Sequence, residues 1–345
     1  MLAREDPEVS ALLAERFAAE GIAVLVGCEP KAFRVEAGEK VLLAERAGTE
    51  LRVPFDLLVC ALGRAAHTAD LGLEDLGIAL APAGTVQTDA YLRTNYPNIY
   101  ACGDVAGPLQ FTHAASHQAA TAALNALFGP WYRRRADRAA IPWTTFTDPE
   151  VARVGLNETE ARQSGVPCEV TRYDLAALDR AIADEAAQGF VKVLTAPGTD
   201  RILGATVVGA HAGETIAEIA LAIERRIGLA RLLGTVHVYP TYAEAVRHAA
   251  GAWRRARITR GAQAFLAALN DWRRGAGSAR AVLARLLAAA ADRRPAGPAR
   301  GGLRAHRHAP PALPLRGAPC AGRRAGVRSR APRLGRAPPK ARRGA

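Results

Sequence analysis

The chain has 345 residues, 46 Lys+Arg against 33 Asp+Glu for a formal net charge of +13, and 49% hydrophobic residues, a length that predicts more than one compact unit. The charge is uneven: residues 275–345 hold 17 of the 46 bases and one acid, Asp292, so the first 274 residues are close to −3 and the tail is close to +16. Cys28, Cys60, Cys102, Cys168 and Cys320 lack C-x-x-C or finger spacing, and there is no 18-residue apolar run or basic-then-apolar leader, so a disulfide scaffold, a zinc site and a membrane span are set aside and a cytoplasmic protein is expected.

Asp6-Pro7 followed by Val9, Leu12, Leu13 and Phe17, and closed by Gly21, predicts a helix N-capped by Asp6 with one apolar face. Ile22 to Val26 then reads as a strand, Lys40–Arg46 and Glu50–Pro54 as a meander, and Asp56–Ala61 as a buried strand leading into Leu62-Gly63-Arg64. This order is half of a doubly wound α/β nucleotide-binding unit, yet no G-x-G-x-x-G loop precedes the helix. Further on, in Thr94-Asn-Tyr-Pro-Asn-Ile-Tyr-Ala-Cys-Gly-Asp104, a short edge strand Ile99–Cys102 ends in Gly103 and Asp104. The glycine allows backbone to approach a ligand closely, and the carboxylate accepts hydrogen bonds from ribose or ribityl hydroxyls. Cys60 and Cys102 read as small buried apolar residues of their strands. Gln110-Phe-Thr-His113 opens an Ala-rich helix reaching Leu127, whose first turn leaves N–H groups free.

Trp131 to Ala139, with three consecutive arginines, is a polar linker, and Ile141 to Gly155 opens a second unit. Asn157 to Gly165 is a helix with Asn157 as N-cap and Glu160 at its third position. Strands at Glu169–Tyr173, Phe190–Leu194 and Ile202–Val208 and a helix from Glu214 to Arg225 predict an antiparallel sheet backed by helices, an α+β arrangement. The chain thus divides at 1–64, 65–139, 140–274 and 275–345. The last segment holds nine of the 21 prolines and few large apolar residues, so disorder is expected beyond Pro295, with Ala279–Ala291 able to coil as a short helix. Two readings of this tail stay open: a nucleic-acid-binding arm, or a sequence without a selected role such as a shifted reading frame. No aromatic residue interleaves its arginines, which counts against nucleic acid as a partner, and His306, His308 and Cys320 have no metal-ligand context.

The Thr94–Asp104 run resembles the second flavin fingerprint of the pyridine nucleotide-disulfide oxidoreductases, and the resemblance covers roughly residues 5–270. It implies FAD, with Asp104 on the ribityl chain, and NAD(P)H as electron donor. Ala61-Leu-Gly-Arg-Ala-Ala-His-Thr68 is similar to the family's Ala-x-Gly-Arg-x-Pro-Asn-Thr, with Ala66-His67 in place of Pro-Asn, and implies a nicotinamide contact at Gly63; a glycine that merely closes a strand is the other reading. Gln110, Phe111, Thr112 and His113 take the positions whose amides, with the positive end of the helix, face the flavin pyrimidine edge in the family. His113 also fits a cap or surface group, with its backbone mattering more than its ring.

Residues 140–274 resemble the family's interface domain and imply a homodimer. His237-Val-Tyr-Pro-Thr-Tyr-Ala-Glu244 is similar to the motif His-Pro-Thr-x-x-Glu, except that Tyr239 stands before Pro240 while Glu244 keeps the five-residue spacing. A phenol near pKa 10 lies about 3 units above a useful neutral-pH base, roughly 4 kcal/mol of tuning. Tyr239 and Glu244 remain the catalytic candidates, because a hydroxyl can donate to a thiolate or a metal-bound sulfur, and mercuric reductases are similar in carrying tyrosine near this place. Packing of Tyr239 in the dimer seam, with Glu244 as a local cap, is the competing reading; His237 and His248 read as structural. The implied function is FAD-dependent NAD(P)H oxidoreduction of a sulfur or mercury substrate, either a small molecule or a metal thiolate. The family's C-x-x-x-x-C pair and first flavin fingerprint are missing, so the chain reads as the carboxyl portion of a longer flavoenzyme. A non-catalytic dimerisation or nucleic-acid-binding module with a vestigial flavin half-site is the alternative.

Overall fold

The computed structural model describes residues 1–136, 140–275 and 278–291, and the disorder expected beyond Pro295 falls outside the described residues. Helix α1 (Pro7–Ala19) is followed by an antiparallel meander, β1 (Glu29–Glu36), β2 (Glu39–Arg46) and β3 (Thr49–Pro54), whose first strand was not anticipated. From Phe55 to Cys102 the chain carries only isolated bridges, Leu80 with Val86 and Arg93 with Tyr100, before one 3₁₀ turn at Gly103–Ala106 and helix α2 (Thr112–Phe128).

Three expected strands are not formed. Ile22–Val26 and Asp56–Ala61 are neither helix nor strand, and Leu57 and Val59 are 82% and 78% exposed. A parallel strand needs a hydrogen-bonded neighbour supplied across a crossover, and among the described residues neither run has one. Cys60 is correspondingly exposed and Cys102 half-buried, contrary to the expectation of buried thiols. Ile99–Cys102 is likewise no more than the Arg93–Tyr100 bridge with two flanking bonds, Thr94 N to Ile99 O at 2.9 Å and Ala101 N to Leu92 O at 3.0 Å.

The second unit follows its predicted form. Strands β4 (Trp143–Thr145) and β5 (Glu150–Gly155), helix α3 (Glu158–Gln163), β6 (Glu169–Asp174), helix α4 (Asp179–Ala183), β7 (Phe190–Thr195) and β8 (Ile202–Gly209) precede α5 (Ala212–Glu224), α6 (Leu229–Gly234) and α7 (Glu244–Ala256). The five strands form one antiparallel sheet ordered β4-β5-β8-β7-β6. Beyond it come α8 (Arg260–Arg273) and α9 (Ala279–Ala291).

Alternation along the strands sorts the sheet's two faces. Ala152, Val154, Val191, Val193, Ala205 and Val207 pack with Ile216 and Ile219 of α5 and Val246, Ala249 and Trp253 of α7. Val151, Phe190 and Val208 point the other way, onto Val9 and Leu13 of α1. The first helix of the chain is therefore the second cover of the sheet, and every residue of β7 is buried.

That cover encloses two cations, Arg153 and Lys192, each 1% exposed. Lys192 Nζ lies 2.5 Å from Asp6 and 2.8 Å from Glu158 and also bonds Glu8; the three carboxylates lie within 4.8 Å of one another around it. Asp6 therefore does not cap its own helix with its side chain. It accepts instead from Lys192 and from Thr159 N (3.0 Å) and Oγ1 (2.8 Å) at the start of α3. Asn157 does cap α3, accepting from Glu160 N at 2.8 Å, while its amide donates to Arg4 O at 2.9 Å. Arg153 holds Glu160 in a two-pronged bond (2.6 and 2.8 Å) and lies 4.3 Å above the Trp143 ring. Its Nε is 3.3 Å from Glu5 Oε2, an ionic contact without hydrogen-bond alignment.

Burial raises the Asp6 carboxyl, but hydrogen bonds from Lys192 and Thr159 outweigh it and bring the pKa below the ordinary 3.8. Burial likewise lowers Lys192, and its bonds to Asp6, Glu158 and Glu8 reverse the sign and lift it above 10.5. Glu5 goes the other way: burial exceeds the pull of Arg153 and Trp143 and raises its carboxyl above 4.5. Asp6 thus contributes stability that is complete above pH 3.8 and lost as pH falls through its lower folded value, while Lys192 contributes stability complete below pH 10.5 and lost as pH rises beyond it. Protonation of Glu5 partly offsets the acid loss.

Lys192→Met leaves Asp6 buried without its cation, and is expected to cost about 3 kcal/mol in urea unfolding at neutral pH. The same variant should lose the alkaline fall in stability above pH 10.5. Adding Asp6→Asn should recover part of the neutral-pH loss; a fully additive double variant would show that the two groups are not paired.

Candidate functional site

Gly103 has φ +76°, a conformation that L side chains rarely adopt, and a Cβ there would sit 3.0 Å from Ala115 Cβ in the first turns of α2. Its N–H donates to the buried Gln118 Oε1 at 2.7 Å, tying the turn to α2 a second time. Asp104 follows on the 3₁₀ turn with its carbonyl bonded by Gly107 N at 3.2 Å. The Asp104 side chain is exposed, and its carboxylate accepts no hydrogen bond among the described residues. The turn therefore fixes the backbone and leaves two carboxylate oxygens open to a ligand hydroxyl.

Helix α2 begins at Thr112 with Phe111 in the N-cap position, a side chain without an oxygen to bond the leading N–H groups. Phe111 stacks on His113 (centroids 5.4 Å apart, planes within 8°) and on Trp143 (6.1 Å, 11°). His113 Nε2 lies 2.7 Å from Pro142 O, and because a carbonyl only accepts, that nitrogen carries a proton. The His113 ring is thus spent on holding the start of α2 to the chain entering β4, and its backbone stays free.

Gly63 is exposed with φ +114°, so its place too demands glycine. The adjoining Arg64 reaches Gln110 O at 3.4 Å, and a cleft of about 580 Å³ opens between Arg64, Thr85, Gln87, Gly107 and Gln110. The structure brings the Gly63-Arg64 loop beside Gln110 and the 3₁₀ turn, while Thr112 and His113 remain exposed at the helix start.

Tyr239 lies in the turn between α6 and α7 and Glu244 is the first residue of α7, and the two are not bonded to each other. Glu244 is buried and accepts from Thr241 N at 3.2 Å. Tyr239 is 67% exposed and donates its hydroxyl to Asp179 Oδ2 at 2.9 Å. That hydrogen bond, followed by the negative charge of Asp179, raises the phenol above its ordinary value of 10. His237 is held by Glu218 (Nε2 at 3.0 Å) and Thr235 O (Nδ1 at 3.1 Å), and His248 stacks on Tyr173 at 5.0 Å. Gln118 and Asp179 were not singled out from the sequence: Gln118 is one polar residue in an Ala-rich helix, and Asp179 lies 60 residues from its partner.

The residues before 140 thus combine α1, an antiparallel meander and a glycine-aspartate turn against an uncapped helix, and those after it an antiparallel sheet backed by helices. Residues 1–119 match the pyridine nucleotide-disulphide oxidoreductase model, and residues 141–250 match the dimerisation domain of that family. The chain is 36% identical over 244 residues to a dihydrolipoyl dehydrogenase of Chlamydia muridarum, covering 71% of this chain and 51% of that one. It is 36% identical over 247 residues to a mercuric reductase of Acidithiobacillus ferrooxidans, covering 72% of this chain and 44% of the other. Among solved structures, LpdA from Mycobacterium tuberculosis superposes with a TM-score of 0.66 at 28% identity, over 72% of this chain and 53% of its own. The HOCl-induced flavoprotein disulfide reductase RclA from Escherichia coli gives 0.65 at 27% identity, over 72% and 56%. The chain belongs to the pyridine nucleotide-disulphide oxidoreductase family, whose members depend on FAD and use NAD(P)H. It spans about half the length of the curated relatives it matches. No helix among the described residues is long and apolar enough to cross a membrane.

Gly103→Ala is expected to cost about 1–3 kcal/mol through its positive φ, measured by urea unfolding. Gln118→Leu should cost a similar ~1–3 kcal/mol by leaving the Gly103 N–H unsatisfied. An unchanged midpoint for Gln118→Leu would mean that water or another group takes over that bond.

Proposed function

We propose that this chain works in an FAD-dependent oxidoreductase that passes electrons from NAD(P)H to a sulfur or mercury substrate, as a cytoplasmic homodimer held through residues 140–274. The observation that carries the reading is the Gly103-Asp104 turn, locked to α2 by Gln118 yet leaving its carboxylate unpaired beside an uncapped helix start. That donor set fits the coenzyme. Asp104 accepts hydrogen bonds from the ribityl hydroxyls. The leading N–H groups of α2, at Thr112 and His113, offer partial positive charge, typically worth about 0.3–1 kcal/mol toward a neighbouring anion. Phe111, stacked between His113 and Trp143, keeps that helix end in place. FAD, when bound, supplies the carrier of two electrons between nicotinamide and substrate.

Gly63 and the Arg64 loop stand where the nicotinamide cofactor approaches, and Gln110 lines the same cleft. Tyr239 serves the substrate from the dimerisation unit, while Glu244 fixes the turn that carries it through Thr241 N. A tyrosine before Pro240 leaves both a sulfur and a mercury substrate open, and the group that holds its proton, Asp179, decides between them.

An absorbance scan across the flavin bands of the purified protein, before and after addition of FAD, tests the reading; no retained flavin would end it. Asp104→Ala should weaken FAD retention roughly tenfold or more, as loss of charge-assisted hydrogen bonds of ~1.5–3 kcal/mol implies. Unchanged flavin stoichiometry in Asp104→Ala would remove the carboxylate from the site.

A further inference from the structure

The side-chain hydrogen-bond donors of the turn that carries Tyr239 are engaged within the chain. Tyr239 donates to Asp179 Oδ2 at 2.9 Å, and Thr241 Oγ1 donates to Val238 O at 2.6 Å. Tyr242 donates to Asp184 Oδ2 at 3.1 Å, and His237 Nε2 faces the Glu218 carboxylate at 3.0 Å. Helix α4 and the residue after it thus supply two carboxylates, Asp179 and Asp184, one to each phenol that flanks Pro240 and Thr241. Glu244, the acid the family motif would pair with residue 239, is engaged on Thr241 N at 3.2 Å.

A phenol has one proton and oxygen lone pairs to accept with. Once the proton is committed to a carboxylate, the exposed oxygen can only accept, and the adjacent negative charge repels anions. We propose that Asp179 is the positioning residue of Tyr239, turning its hydroxyl into an acceptor matched to a protonated thiol and set against a thiolate or metal-bound thiolate. The inference rests on the reading that Tyr239 meets the substrate, and it narrows the sulfur-or-mercury alternatives to a neutral dithiol. Proton and electrons stay where they are in this contact: the sulfur keeps its hydrogen and donates it to the phenol oxygen.

The charged groups that act on Tyr239 are Asp179 from α4 and Glu244 from α7, and both disfavour the phenolate. Removing the nearer one is therefore visible in solution without flavin or turnover. The tyrosinate ultraviolet titration of the full chain, with Tyr239→Phe subtracted to isolate this residue, should give a lower midpoint in Asp179→Ala than in the unaltered protein. Asp179→Glu should restore the higher midpoint. Equal midpoints in the unaltered protein and Asp179→Ala would overturn the pairing.

The substrate consequence is read in steady-state turnover of the flavin-loaded dimer, with dithiothreitol and with the mercuric bis-cysteine complex as probes. Asp179→Ala frees the hydroxyl to donate, so KM for dithiothreitol should rise roughly five- to tenfold, as loss of one hydrogen bond allows, while KM for the mercuric complex falls. The values for kcat should move little. If both KM values stay fixed, or both move in the same direction, the assignment fails. If the protein retains no flavin, it is the oxidoreductase reading that fails, and the phenol titration still decides whether Asp179 holds the Tyr239 proton.

Discussion

Burying Lys192 and Arg153 on the sheet face opposite α5 and α7 is tolerable only because acids converge on them from two directions. Helix α1 and the residues before it bring Glu5, Asp6 and Glu8, and α3 brings Glu158 and Glu160. An unpaired ammonium or guanidinium in that position would carry a desolvation penalty of several kcal/mol. The ionic layer therefore requires the two halves of the chain to pack with α1 in one orientation. Apolar contact of Val9 and Leu13 with Val151, Phe190 and Val208 supplies the attraction, and the charge pairs set the register. The carboxylates of Asp6, Glu8 and Glu158, which lie close enough to share a metal ion, surround a lysine nitrogen that takes that place.

The same docking reaches the start of α2. Trp143 bonds Glu5 through Nε1 at 3.2 Å, carries Arg153 over its ring, and stacks against Phe111 at the cap of α2. Pro142 accepts from His113 one residue earlier. A continuous set of contacts thus runs from the buried ion pairs to the helix end beside Gly103 and Asp104. The Asp104 carboxylate is left unpaired on a turn tied to α2 by Gln118, and for the proposed flavin site such preorganisation would mean that binding orders little that was mobile.

How much of this was legible in the sequence depended on whether a residue's partner lay nearby. Asn157 as a cap, the antiparallel strands of the second unit and the helix beginning after Phe111 follow from local pattern and are present. Local pattern misled at Asp6, which has the composition and position of an N-cap but is drawn to Lys192, 186 residues away. It misled again at Asp56–Ala61, where an apolar run has strand character but no neighbour among the described residues to complete its hydrogen bonds. Lys192, in Phe-Val-Lys-Val-Leu, carries no local sign of its buried pairing, and it is the arrival of α1 that makes its face interior. Gly103 was readable as a place that needs glycine, and its φ of +76° is such a local requirement; Gln118, which holds it, was not readable.

The dimerisation-unit turn shows how one substitution in a motif can reassign its neighbours. Imidazole has two ring nitrogens, so it can give one to a carboxylate and keep the other for a substrate. A phenol has a single oxygen and a single proton, and the partner that takes the proton decides what the oxygen can still do. With Tyr239 in the place of histidine, the motif's own acid, Glu244, is left to cap the turn, and the exposed Asp179 takes over as partner. The hydrogen bonding of Tyr239 is thus set by α4, an element outside the motif, and on the proposed reading Tyr-Pro-Thr-x-x-Glu and His-Pro-Thr-x-x-Glu chains would present opposite hydrogen-bonding faces to sulfur.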